Sequence, residues 1–293
     1  MITFKTMEHL TFKEAHELFI NGFEGYFTPM KMPLDAFIAR FGNDNLSAGI
    51  SIVMFDEDRP VGFVLQGIRE VNGEKIAWNG GTGIIPEYRG KKLGTILIEK
   101  ALELLSQQKV NIATLEALSI NQPAIKLYEK VGYKVIDTLH FWEAEGVLNY
   151  DEKIASEFEL KRIPALQAVN STIFPALVPW QVDPSITPKA GGEAIIAMKD
   201  SEVLAACLVR TKQKFGSEAE GVTLFQASTN NEHPDGIRAL QAALQEGLHF
   251  NRSIKRNTYN LEDKMQNFLP FLKNNGFKNT DISQVFMTKQ LME

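Results

Sequence analysis

The segment from Trp78 to Thr95, WNGGTGIIPEYRGKKLGT, constrains this chain more than any other, because an apolar strand passes through a proline-marked turn and a basic glycine loop directly into a helix. The start of a helix carries N–H groups without intrahelical partners and the positive end of the helix dipole, so it favours an anion. Arg89, Lys91 and Lys92 place positive charge where a pyrophosphate would need neutralising, while Gly90 and Gly94 allow the backbone to approach a ligand closely. Read alone, the loop is either such an anion site or a solvated basic turn.

The rest of the chain limits the context of this loop. A length of 293 residues accommodates one large domain or two of ordinary size, and 44% hydrophobic with 23% charged residues is the balance of an ordinary globular protein. Acidic residues outnumber basic ones, 36 to 31, so no global basic field points to nucleic acid or an anionic membrane as partner. The only cysteine, Cys207, lies in the apolar run Val203 to Val209. It excludes an internal disulfide, fits a reducing cytoplasm and reads as a small core residue. The amino terminus mixes charges of both signs and reads as a first strand and helix rather than a signal peptide. The longest apolar runs are too short for a membrane span.

Elements alternate along the first half. Residues 49–55 and 60–68 read as a hairpin around Asp56 to Arg59, and a strand is expected over 75–85. The helix after the glycine loop carries Ile96, Leu97, Ala101, Leu104 and Leu105 at helical spacing, and a short strand follows at 112–118. A second helix has Asn121 as N-cap, Pro123 in its first turn, and Ala124, Leu127, Tyr128 and Val131 on one face. Lys130 and Gly132 form its basic last turn and glycine cap, and a β pair is expected from Tyr133 to Glu145. Five prolines, Pro164, Pro175, Pro179, Pro184 and Pro188, then break the pattern. Beyond them the element order recurs: strands at 194–198, 203–209 and 222–227, a helix at 235–248, and a terminal helix and strand. The echo of LYEKVGYK in FLKNNGFK, about half a chain apart, reads as internal duplication. The expected fold class is α/β with a mixed sheet of the α+β kind, in two domains, 1–146 and 147–293.

Together, IIPEYRGKKLGTILIEKAL, LEALSIN and AIKLYEKVGYK resemble the GNAT superfamily of acyl-CoA-dependent N-acetyltransferases. The motif likeness covers about residues 50–145, and element order extends it to a tandem of two GNAT-type domains. The resemblance implies that acetyl-CoA is the cosubstrate, with its pyrophosphate on the loop Arg89, Gly90, Lys91, Lys92, Leu93, Gly94 and Thr95. Lys92 stands where the family usually has a glycine, so its Cβ either crowds the phosphate or its amine adds a charge contact. The preceding strand, at Thr82, Gly83 and Ile84, would offer backbone groups to pantetheine and to the thioester carbonyl, and an N–H aimed at that carbonyl would act as an oxyanion hole.

Two side chains are implied as catalytic. Tyr128 takes the position of the family's general acid toward the departing thiolate, although periodicity alone makes it a core tyrosine. Glu116, a carboxylate in an apolar strand, takes the position of the base that receives the amine proton. Its plain alternative is a carboxylate satisfied by a neighbour. Asn121 would bond the pantetheine arm, cap its helix, or do both. No metal is implied, since the five histidines form no ligand-spaced pair, and Gly80, Gly81 and Gly83 do not complete a dinucleotide fingerprint. The acceptor is a small-molecule amine or a protein or peptide amine, shaped in part by the segment from Phe23 to Phe41, and the assembly is a monomer or a homodimer. The second half has Leu272 opposite Tyr128 and lacks the glycine motif in STNNEHPDG, so it reads as a degenerate copy that replaces a partner subunit or closes one side of the acceptor pocket. The rival to an enzyme is a catalytically silent acyl-CoA-binding or interaction module.

Overall fold

The structure, a computed structural model, describes residues 1–28, 30–169, 171–186, 191–213, 219–263 and 268–292. Pro29, in the segment expected to shape acceptor access, and Pro188 lie outside the described residues. The chain divides into two compact units, residues 1–136 with 285–293, and residues 137–284.

The first unit opens with β1 (Ile2–Thr6) and α1 (Phe12–Gly22), and α1 starts at a capping box. Glu14 N–H donates to Thr11 Oγ1 at 3.3 Å, and the Glu14 carboxylate accepts from Thr11 N–H at 2.8 Å, so two orphan donors are satisfied reciprocally. After α2 (Leu34–Asn43) come β2 (Ile52–Asp56), β3 (Arg59–Val71) and β4 (Glu74–Ile84), an antiparallel set with β1. Asn72 and Gly73, both at positive φ, make the tight turn from β3 to β4. Next are α3 (Leu93–Gln107), β5 (Ile112–Leu118) and α4 (Gln122–Lys130). In α3 the buried residues are Leu97, Ile98, Ala101, Leu102 and Leu105, whereas Ile96, expected on that face, is exposed. The helix start turns the buried stripe one position along.

β5 runs parallel to β4, in register from Ile76 with Ile112 to Asn79 with Leu115. The ladder ends there, while β4 continues beside β3 to Ile84 across a register shift between Leu65 and Gln66. A bulge bends and twists its strand, so β4 and β5 diverge beyond Asn79 and leave a cleft. The far side of β5 is completed by β13 (Lys278–Gln290), the chain's last strand, with Phe286 and Met287 fully buried.

The strand that follows α4 is β6 (Lys134–Gly146). Instead of the β pair expected over 133–145, it is one continuous strand, and its residues from 137 onward belong to the second unit. There it pairs with β11 (Ile254–Thr258) and β12 (Leu261–Glu262). The other elements of that unit are α5 (Glu152–Ser156), β7 (Glu159–Pro164), β8 (Glu193–Lys199), β9 (Glu202–Gln213), β10 (Ala219–Thr229), α6 (Gly236–Gly247) and α7 (Leu269–Asn274). β7 to β10 are antiparallel and β10 to β11 parallel, repeating the run from β1 to β5. Each unit is thus completed by the strand that follows the other unit's last helix, so the crossing falls at 136/137 and residues 285–293 return to the first unit. The sequence placed the division at 146/147 because local pattern does not show where a strand finds its neighbour.

Candidate active site

The cleft between β4 and the start of α4 holds a cavity of about 560 Å³, within the usual range for a small-molecule site. Its walls bring together Thr82, Gly83, Ile84, Arg89, Gly90, Lys92, Leu93, Gly94, Thr95, Asn121 and Tyr128 from the sequence-derived set. Lys91 and Glu116 are outside the lining. Phe23, Tyr26 and Phe27 of the segment expected to shape acceptor access line the same cavity, whereas sequence reasoning missed Gly22, Pro123 and Leu127 in its lining and Asn79 behind it. The signal for Gly22 is steric: a Cβ there would lie 2.6 Å from Phe63, and one on Gly83 would lie 2.5 Å from Phe63 and 3.1 Å from the Gly22 Cα. Two facing glycines seat the end of α1 directly on β4 and carry the Phe23 to Phe27 turn over the cavity.

The glycine loop is anchored from below. Tyr88 donates its hydroxyl to Asp56 at 2.9 Å, and the Lys91 ammonium stands 4.7 Å from the centre of the Tyr88 ring. The Arg89 guanidinium donates to the carbonyls of Ile84 (2.7 Å) and Gly22 (3.1 Å), tying the loop to β4 and α1. Lys92 is the residue at which α3 begins, and it adopts the left-handed conformation at φ 62°. A glycine would take that conformation without penalty, so the lysine here carries a backbone cost. Gly94 lies against Leu127, where a Cβ would sit 3.1 Å from a methyl group.

α4 forms the opposite wall. Asn121 accepts from Ala124 N–H at 3.2 Å, so it caps the helix while lining the cavity. The residues of α4 buried in the core are Ile125 and Tyr128, while Ala124 and Leu127 face the cavity. Tyr128 is 8% exposed, and its phenol hydrogen-bonds with Thr82 and Asn79. Burial raises its pKa above the ordinary tyrosine value, and the nearby Tyr26 adds to the effect. Asn79 in turn exchanges hydrogen bonds with Thr82 at 2.9 and 3.1 Å and accepts from Gly81 N–H at 3.1 Å. The arrangement holds a protonated phenol at the point where β4 and β5 part.

Glu116, outside the lining, is half-buried and accepts the indole N–H of Trp78 at 2.6 Å. In the second unit, Leu272 is fully buried in the core, and the start of α6 is packed against the Asn230 carbonyl, with Asp235 paired to Lys199 at 2.6 Å. The Cys207 thiol is buried and pushed up to about 12, an inert core group. Among the described residues no cluster of metal-ligating side chains occurs, and no helix is long and apolar enough to cross a membrane.

A sheet splayed between two parallel strands thus brings a glycine loop at one helix start and a buried tyrosine from the next helix to one cavity. Residues 12–133 match the family model described as the acetyltransferase (GNAT) family, a match that lies within the first unit. No curated protein sequence matches the chain. Solved structures share the fold over the whole chain. A GCN5-related N-acetyltransferase from Anabaena variabilis is 13% identical, with a TM-score of 0.64 over 100% of this chain and 73% of its own. A putative acetyltransferase from Pyrococcus horikoshii is 14% identical, with a TM-score of 0.60 over 99% and 89%. A tandem GNAT protein from the clavulanic acid biosynthesis pathway is 15% identical, with a TM-score of 0.58 over 100% and 99%. The glycine loop lies in the matched first unit, and the stretch before α6, STNNEHPDG, carries no such motif.

Proposed function

We propose that the first unit is an acetyl-CoA-dependent N-acetyltransferase that passes the acetyl group directly to a primary amine, borne by a small molecule or a peptide. The observation that carries this reading is the convergence of the glycine loop, the free-running end of β4 and the Tyr128 phenol on one cavity. The residues fit the cosubstrate: the loop from Gly90 to Thr95 and the start of α3 receive the pyrophosphate, Thr82 to Ile84 and Asn121 receive the pantetheine arm, and a β4 N–H receives the oxyanion. The neutral amine attacks the thioester carbon; the C–N bond forms, the C–S bond breaks, and Tyr128 gives its proton to sulfur. The proton leaving nitrogen passes to Glu116 directly or through water. No metal takes part. The single buried thiol suits a reducing cytoplasm.

The engagement of Arg89 by two backbone carbonyls and the left-handed Lys92 support the second reading, a silent acyl-CoA-binding module. Calorimetric titration of the full chain with acetyl-CoA tests the site common to both. One saturable site is expected, and Gly94→Asp, which adds a carboxylate at the α3 start, is expected to abolish it. Absence of binding to the native chain contradicts both.

A further inference from the structure

Glu116 is the one implied catalytic group outside the cavity, and the structure supplies what holds it. Trp78 on β4 and Glu116 on β5 project from the same face, because Trp78 is in register with Thr114, two residues before Glu116. The Trp78 side chain is 4% exposed and its indole Nε1–H donates to Glu116 Oε2 at 2.6 Å. A donor–acceptor pair this short with a carboxylate as acceptor is a charge-assisted bond, stronger than a neutral one.

The indole is itself clamped. A Cβ on Gly80 would lie 2.6 Å from the Trp78 ring and 2.9 Å from Leu46, so the ring lies flat on a backbone that only glycine leaves open. Above it, the Arg40 guanidinium stands 5.8 Å from the ring centre and 6.0 Å from that of Phe19. Arg40 is buried to 13% side-chain exposure, pairs with Asp44 at 2.8 Å and donates to the Gly80 carbonyl at 2.9 Å. The peptide that joins Gly80 to Gly81 is therefore fixed at both ends, its carbonyl by Arg40 and its N–H by Asn79, the residue that also holds Tyr128. One bulged peptide ties the surroundings of the acid to those of the base.

We infer that Trp78 is a positioning residue for acetyl transfer, its indole N–H holding the Glu116 carboxylate in the orientation that receives the acceptor's proton, with Arg40 and Gly80 fixing the indole. The inference rests on the acetyltransferase reading above. The step it serves is balanced: the amine nitrogen gives its proton to Glu116 as the C–N bond forms, and the thiolate takes a proton from Tyr128.

A double-mutant cycle tests it, with kcat read from thiol release on acetyl-CoA and the best substrate of a primary-amine panel containing a polyamine, an amino sugar and an amino-acid amide. Trp78→Phe keeps an aromatic ring in place of the indole and removes the N–H. In the native background it is expected to lower kcat by about tenfold or more, with acetyl-CoA binding unchanged. In a Glu116→Gln background it is expected to change kcat by less than about twofold. Equal losses in both backgrounds overturn the inference while leaving the acetyltransferase intact, whereas a fully active Glu116→Gln removes the base role and the inference with it. A second readout needs no turnover: in a 15N-labelled chain the Trp78 indole N–H resonance, assigned by its loss in Trp78→Phe, is expected to move upfield in Glu116→Gln. An unmoved resonance overturns the inference.

Discussion

At the scale of single residues, two positions bear on the proposed site and each has a measurable signature. Tyr128 is held protonated by burial, and Tyr133, 5.8 Å away ring to ring, is raised by burial as well. A raised folded value means that the unfolded chain ionises first and binds fewer protons, so stability falls as pH rises from about 10 toward the folded values. Urea unfolding at pH 9 and pH 11 is expected to show that loss, and Tyr128→Phe is expected to reduce it. Lys92 carries the opposite kind of information. Lys92→Gly relieves a left-handed residue worth about 1–2 kcal/mol, so a raised melting temperature is expected. If acetyl-CoA binding weakens at the same time, the lysine amine acts on the phosphates. The motif singled out Tyr128, and Thr82 as a backbone contact, but not Asn79 or the bonds of both side chains to the phenol, which come from a strand about fifty residues earlier. Glu116 was legible as an exception in an apolar strand, while its partner Trp78 read as ordinary strand hydrophobe.

At the scale of elements, the cavity exists because β4 and β5 part and because α1 touches β4 glycine to glycine. Gly83→Ala forces its new methyl onto Phe63 and the Gly22 backbone, a contact that rigid backbone on one side cannot relieve. A loss of about 1–3 kcal/mol is expected by denaturant titration, together with weaker acetyl-CoA binding, because the α1 end and the Phe23 to Phe27 turn must move. Most elements were legible from periodicity, caps and turns: the hairpin at Asp56, the α4 cap at Asn121, and its glycine stop at Gly132. The expected β pair after Gly132 was not, because β6 has the composition of a strand but finds its partners more than a hundred residues away. Local pattern gives an element's type, and long-range pairing gives its place.

At the scale of the whole molecule, strand exchange makes each unit depend on the other's chain. A fragment of residues 1–146 lacks residues 285–293, which cover β5 and include buried Phe286 and Met287, so it exposes a sheet edge. It is expected to aggregate or melt well below the full chain by circular dichroism; equal stability of the fragment contradicts the exchange. The repeated element order was legible in the sequence, and so was the absence of the glycine motif from the second half, yet reciprocal completion of the two units leaves no mark in either half alone. The central claim is that one cavity, in the first unit, transfers acetyl groups with Tyr128 as acid. It is tested most directly by free-thiol release from acetyl-CoA across an amine panel, native chain beside Tyr128→Phe. Amine-dependent release that falls about a hundredfold or more in the variant, with acetyl-CoA binding retained, is the expected result; release by the variant at the native rate contradicts it.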